Sequence, residues 1–170
     1  TSCYTYLELE VSRIDVPKLE QAWHQVIAKH DMLRAIVSKD GMQQILENVP
    51  LPRLNVYDED SLEKVRSEME KLNFDIEKGP NHILKITKIK QGYIIHFAID
   101  MLIADFISIN IILNDLFKAY ELGFLEINPQ EVNFRDIILD RIEKKEKIKS
   151  TTKYLKGKEY WLSKIDKMPD

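Results

Sequence analysis

Residues Tyr4 to Val11 alternate around Tyr, Leu and Val, the period-two pattern of a half-buried strand. Asp15, followed by Val16 and Pro17, then supplies an N-cap and an early proline, so a helix is expected to about Lys29. Leu19, Trp23, Val26, Ile27 and the ring of His30 fall on one face of a 3.6-residue repeat, which sets the side that packs on a core. Ala35 to Ser38 and Gln43 to Leu46 flank Asp40-Gly41, a dipeptide suited to a tight turn, and read as a paired hairpin. Pro50 and Pro52 interrupt the chain. A short strand at Leu54 to Tyr57 follows, and Asp60 is positioned to cap a second helix whose Leu62, Val65, Met69 and Leu72 share a face.

Phe74 to Pro80 reads as a loop, and Ile83 to Lys88 and Tyr93 to Ile99 as two strands joined through Lys90, Gln91 and Gly92. The second strand is apolar at Ile94, Ile95, Phe97, Ala98 and Ile99. Such a run suits an interior strand covered on both faces, which requires helices on each side of the sheet. An amphipathic helix follows, carried by Ile109, Ile112, Leu113, Leu116, Phe117 and Tyr120 and ending near Gly123. Two more helices are expected at about Phe134 to Lys147 and Thr151 to Ile165, with Pro169 in a linker. No repeat, low-complexity tract or internal boundary stands out, so one compact unit is the expectation for 170 residues.

Composition narrows the classes. An apolar fraction of 44% and a charged fraction of 31% belong to a globular chain rather than a disordered or fibrous one. With 25 basic against 28 acidic residues, interspersed, nothing points to nucleic acid or an anionic membrane; the basic run from Lys144 to Lys158 is broken by Glu146 and reads as a solvated helix face. The single cysteine, Cys3, allows no internal disulfide and no cysteine metal site, in keeping with a reducing cytoplasmic setting. No stretch approaches the ~20 apolar residues of a membrane span and no leader precedes Thr1, whose place at the start fits a piece of something longer.

The candidate chemistry is concentrated between His96 and Ser108. A buried strand delivers Asp100 into a loop, and Asp105 lies just before a helix. Carboxylates at the mouth of a buried element need hydrogen bonds or a cation. Asp105 has two structural roles open to it, capping the following helix or pairing with an arginine; Asp100, set among apolar residues, is less readily explained as structure. Ser108 fits a helix cap or first-turn residue as well as a substrate contact, and Arg34 fits a surface cation as well as an ion pair fixing the motif region. His24, His30, His82 and His96 lack metal-ligand spacing and read as packing or surface residues. No nucleophile elbow or glycine-rich phosphate loop is present.

The same stretch resembles the core of the condensation superfamily of nonribosomal peptide synthetases, whose hallmark is H-H-x-x-x-D-G, and specifically its heterocyclization branch, D-x-x-x-x-D with a serine three residues on. Asp100, Asp105 and Ser108 match that branch; Met101 stands at the place of the second family histidine and Phe106 at that of the glycine. A thioether is no base at neutral pH, which disfavours ordinary condensation chemistry at Met101. Ile27 to Ala35, with Arg34, looks like the family's R-H-x-x-L-R-T block. Phe74 to Pro80 looks like F-D-x-x-x-G-P-L, with Asn81 in place of the leucine, and Tyr160-Trp161 like the segment that closes the first half.

The resemblance implies a chloramphenicol-acetyltransferase-like α/β half, a mixed β-sheet flanked by helices, with residues 1–170 as the N-terminal subdomain and the C-terminal half absent. It implies condensation of a carrier-bound acyl or peptidyl thioester with carrier-bound Cys, Ser or Thr, then cyclodehydration to thiazoline or oxazoline. Asp100 would shape or polarise the site, Asp105 hold the loop, and Ser108 meet substrate, with Arg34 and Met101 as motif positions. The implied partners are upstream and downstream peptidyl carrier domains, the C-terminal half and an adjacent adenylation domain. No metal, nucleotide or redox cofactor is implied in this domain, since substrates ride on the carriers' phosphopantetheine, and the half alone is expected to be inactive. The rival readings are a condensation-type acyltransferase without ring closure and a non-catalytic relative that docks carrier proteins.

Overall fold

The computed structural model describes residues 3–126 and 134–165. The chain divides into two units, Thr1–Ile127 and Asn128–Asp170. This differs from the single compact unit expected from the sequence, and the reason is visible in the second unit: its helices α4 (Phe134–Lys149) and α5 (Thr152–Leu162) bury no residue. Thr151 caps α5 by accepting the Tyr154 amide. Pro169 lies outside the described residues.

The first unit is built on strands β1 (Tyr4–Val11), β2 (Ala35–Val37), β3 (Gln43–Ile45), β4 (Val56–Tyr57), β5 (His82–Ile89) and β6 (Gly92–Asp100). Its four-stranded sheet runs β1-β6-β5-β4 and is mixed: β6 pairs antiparallel with β1 and β5, while β4 joins β5 in parallel. The interior position expected for the apolar run at Tyr93 to Ile99 is therefore observed. Strands β2 and β3 form a separate hairpin, whose turn uses Gly41 at φ +80°.

Helices cover both faces. Helix α1 (Val16–Lys29) starts as expected: Asp15 accepts the Lys18 amide through its side chain, and a proline sits in the first turn. Its Leu19, Trp23 and Ile27 pack with Ile109, Ile112 and Leu116 of α3 (Phe106–Leu122) and with Phe97 and Ile99 of β6. The indole of Trp23 meets the rings of Phe97 and His82 edge-on, at centroid distances of 5.8 and 5.1 Å. On the other face α2 (Leu62–Glu70) places Val65 and Met69 against Phe74 and Ala98. Asp60 is not the cap of α2: a 3-10 turn at Glu59–Ser61 leads into it, with the Ser61 amide already bonded to Asp58 O at 2.9 Å. Because Ser61 has helical backbone angles, the turn supplies the partners that a capping side chain would have supplied.

Candidate active site at the end of β6

The last residue of β6 is Asp100, and it is tied on both sides. Its amide donates to Asn81 O at 3.0 Å, and the next amide, Met101, donates to Cys3 O at 2.8 Å. The neighbouring strands therefore fix where the chain leaves the sheet. The carboxylate of Asp100, only 4% exposed, accepts the Leu102 amide at 2.8 Å, while the Ile103 amide returns to Asp100 O. Asp100 thus shapes the loop and also lines an open cleft of about 480 Å³ with Cys3, Asn73, Phe74, Ile76 and Met101.

Asp105 is the N-cap of α3. Its Oδ1 accepts both the Ser108 amide at 2.8 Å and the Ser108 hydroxyl at 2.7 Å, and these bonds hold the carboxyl below its ordinary range. Of the two roles open in the sequence, capping is the one observed. Ser108 spends its hydroxyl proton on that cap, which leaves the oxygen lone pairs as its means of meeting a substrate. The three motif residues share a loop and helix start, but Asp105 and Ser108 are not among the residues lining the Asp100 cleft.

Arg34 does not fix the motif region. Its guanidinium pairs with Asp31 and donates to Leu46 O at 2.7 Å, bracing the 3-10 turn Asp31–Arg34 against the end of β3. Met101 takes the Thr5 hydroxyl on its sulfur at 3.0 Å. Around this loop the surface is apolar: Leu102, Phe106 and Ile107 are exposed, the last two at 74% and 69%. Contiguous exposed hydrocarbon beside a cleft marks a surface that something else covers.

Three buried polar groups take their partners only from the tertiary structure: Asn81, noted in the sequence as a departure from the resembled motif, and His82 and His96, read there as packing or surface residues. Asn81, fully buried, donates its amide to Ala35 O at 3.0 Å and so links the β2 segment to the strand end that holds Asp100. The signal was its presence where the resembled motif has leucine. His82 is buried against Trp23 with Nε2 bonded to Leu33 O, and burial pushes it down to about 4. His96, the one titratable side chain from Ile94 to Ile99, lies between Tyr6 and Thr87. No group of three or more His, Cys, Asp or Glu able to hold a metal occurs among the described residues. No helix among them is long and apolar enough to cross a membrane.

A mixed sheet with helices on both faces and a carboxylate at the mouth of its interior strand is an α/β fold of the chloramphenicol-acetyltransferase type. A family model for the condensation domain matches residues 2–170, and the chain belongs to that family. It is 24% identical to pyochelin synthetase PchF of Pseudomonas aeruginosa, over 99% of this chain and 10% of that protein. It is 27% identical to bacitracin synthase 1 of Bacillus licheniformis, over 92% of this chain and 3% of that one. Among solved structures, the EpoB nonribosomal peptide synthetase cyclization-docking bidomain of Sorangium cellulosum superposes with a TM-score of 0.80 at 26% identity, covering 99% of this chain and 35% of that chain. The chain therefore spans a small part of the synthetases it matches and about a third of the bidomain.

Proposed function

We propose that residues 1–170 act as the N-terminal half of a heterocyclization domain, in which a carrier-bound acyl or peptidyl thioester is joined to carrier-bound Cys, Ser or Thr and the product is cyclodehydrated to thiazoline or oxazoline. The observation that carries this reading is the replacement of a base by Met101 beside a retained, buried Asp100 at the cleft. A thioether holding a hydroxyl hydrogen bond takes up no proton at neutral pH, so peptide-bond formation here cannot rest on a histidine at that place. Likeness to a cyclization-docking bidomain points the same way.

In this reading the acceptor amine attacks the thioester carbonyl, the carrier thiol leaves, and the new amide carbonyl is then attacked by the acceptor's own thiol or hydroxyl before water departs. Asp100 supplies a fixed negative charge at the mouth of β6, suited to orienting an N–H or a developing cation. Asp105 keeps the loop in register with α3. The apolar rim at Leu102, Phe106 and Ile107 is the surface that the domain's C-terminal half and the phosphopantetheine arms of upstream and downstream carrier domains would cover, and an adenylation domain would lie further along the same protein. No resident cofactor is required.

Asp100→Asn tests the reading in the intact protein that contains this chain, with loaded carrier domains as substrates. The amide keeps the bond to the Leu102 amide but not the charge, so heterocycle formation should fall roughly tenfold or more while the protein stays folded. Mass spectrometry separates heterocycle from open amide by the lost water. Unchanged heterocycle yield removes Asp100 from the chemistry, and an open amide from the unsubstituted protein favours condensation without ring closure.

A further inference from the structure

In the middle of β6, opposite Lys85 of β5, His96 is 0% exposed, on the same sheet face as Ala98, the face that α2 covers. Its Nδ1 lies 2.7 Å from the Tyr6 hydroxyl and 3.4 Å from Glu8 Oε1, and its Nε2 lies 2.9 Å from the Thr87 hydroxyl. The direction of these bonds follows from counting protons. Tyr6 has one, and it goes to Glu8 Oε1 at 2.6 Å, because Glu8 is gripped by Arg66 through two bonds of 2.8 and 2.9 Å and stays ionised. The Tyr6 oxygen must then accept, so His96 donates from Nδ1 and accepts the Thr87 proton at Nε2. Every polar atom is satisfied only while His96 is neutral. A second proton, on Nε2, reverses the Thr87 bond and strands the hydroxyl proton of a threonine that is itself 0% exposed.

We propose that His96, Tyr6, Glu8 and Arg66 form an acid-sensitive latch that clamps α2 to the sheet, and that a second proton on His96 releases α2 and widens the cleft beside Asp100. The coupling to the cleft is direct, since α2 runs into Asn73, Phe74 and Ile76, which wall it, and Phe74 packs in one cluster with Val65 and Met69. The latch does not depend on which reaction the cleft serves. The charges facing His96 are Glu8 on β1, Lys85 on β5 and Arg66 on α2, with Glu70 of α2 acting on Tyr6. Lys85 is itself paired with Glu68 of α2, a second tie across the same seam, and Arg66 with Glu63. Burial, Arg66 and Lys85 hold His96 below its ordinary range, against the opposing pull of Glu8.

Hydrogen exchange of the whole chain between pH 7 and pH 5, corrected for intrinsic exchange rates, reads the latch. Opening that frees a histidine of ordinary pKa should become more frequent between pH 6 and pH 5, by up to about eightfold, in α2 and residues 73–76 together. In His96→Gln this dependence should vanish from α2. Exchange of α2 that stays level with pH in the unsubstituted chain, or that keeps its slope in His96→Gln, overturns the latch. Protection of 73–76 that persists while α2 opens overturns the coupling to the cleft. If His96→Gln does not fold, the unsubstituted profile decides, together with ring nitrogen shifts: a proton on Nδ1 at pH 7 supports the bond direction, and one on Nε2 overturns it.

Discussion

At the scale of single residues, the two acids of the motif separate by what they do for the backbone. Asp105, exposed, caps a helix, a role its place before an amphipathic run already indicated. Asp100 is buried and bends the loop onto itself, and its burial follows from the pairing of β6 with β1 and β5, which no local pattern specifies. Gly92 shows a residue chosen by a neighbour distant in sequence. It sits at φ +150°, and a Cβ there would lie 2.1 Å from Val11 O, inside the contact distance of any real pair. Gly92→Ala should therefore force β1 away from the hairpin and cost roughly 3 kcal/mol or more. Urea denaturation measures it; a loss under about 1 kcal/mol means the strand end gives way easily.

At the scale of elements, the pattern of apolar positions located most of the helices and strands because each had to bury one face. β1 occupies the expected residues, α1 ends at Lys29, and α3 stops where Gly123 adopts φ +79°. The element that pattern placed poorly is β4, reduced to two residues, since its existence depends on a parallel partner thirty residues away. Packing between α1 and α3 is the main helix–helix seam of the unit, and Leu116 is fully buried in it. Leu116→Ala removes that contact and leaves a cavity, so a loss of about 2–5 kcal/mol is expected. The change should appear as a lower urea midpoint with an unaltered slope, because the surface exposed on unfolding scarcely changes.

For the whole molecule, acid is the condition under which the buried histidines oppose folding, because burial lowers their pKa values. The pKa of His82 falls from 6.5 to about 4 on folding, so the unfolded chain binds the extra proton more readily. Its contribution to stability is complete above pH 6.5 and is lost as pH falls towards 4, reaching on the order of 2 kcal/mol at pH 5. Glu8, lowered to about 2 chiefly by Arg66, acts in the same direction but below its ordinary value of 4.5, and partial exposure screens it. Unfolding free energies at pH 7.5 and pH 5 should differ by less in His82→Phe, which keeps the ring against Trp23. An equal difference in both proteins would falsify the assignment to His82.

The sequence by itself determined most of the helices and strands, the family motifs and the cap of α1 at Asp15, because strand alternation, helical periodicity and capping act within a few residues. Tertiary structure decided the rest. Arg34 turned to Asp31 and Leu46 instead of the motif loop, Asp100 and Phe74 met in one cleft, and Tyr6 reached His96 across ninety residues. Those outcomes depend on strand order and register, and a register is selected by the fit of whole faces against each other. Local spacing carries no record of that fit until the sheet has closed on its helices.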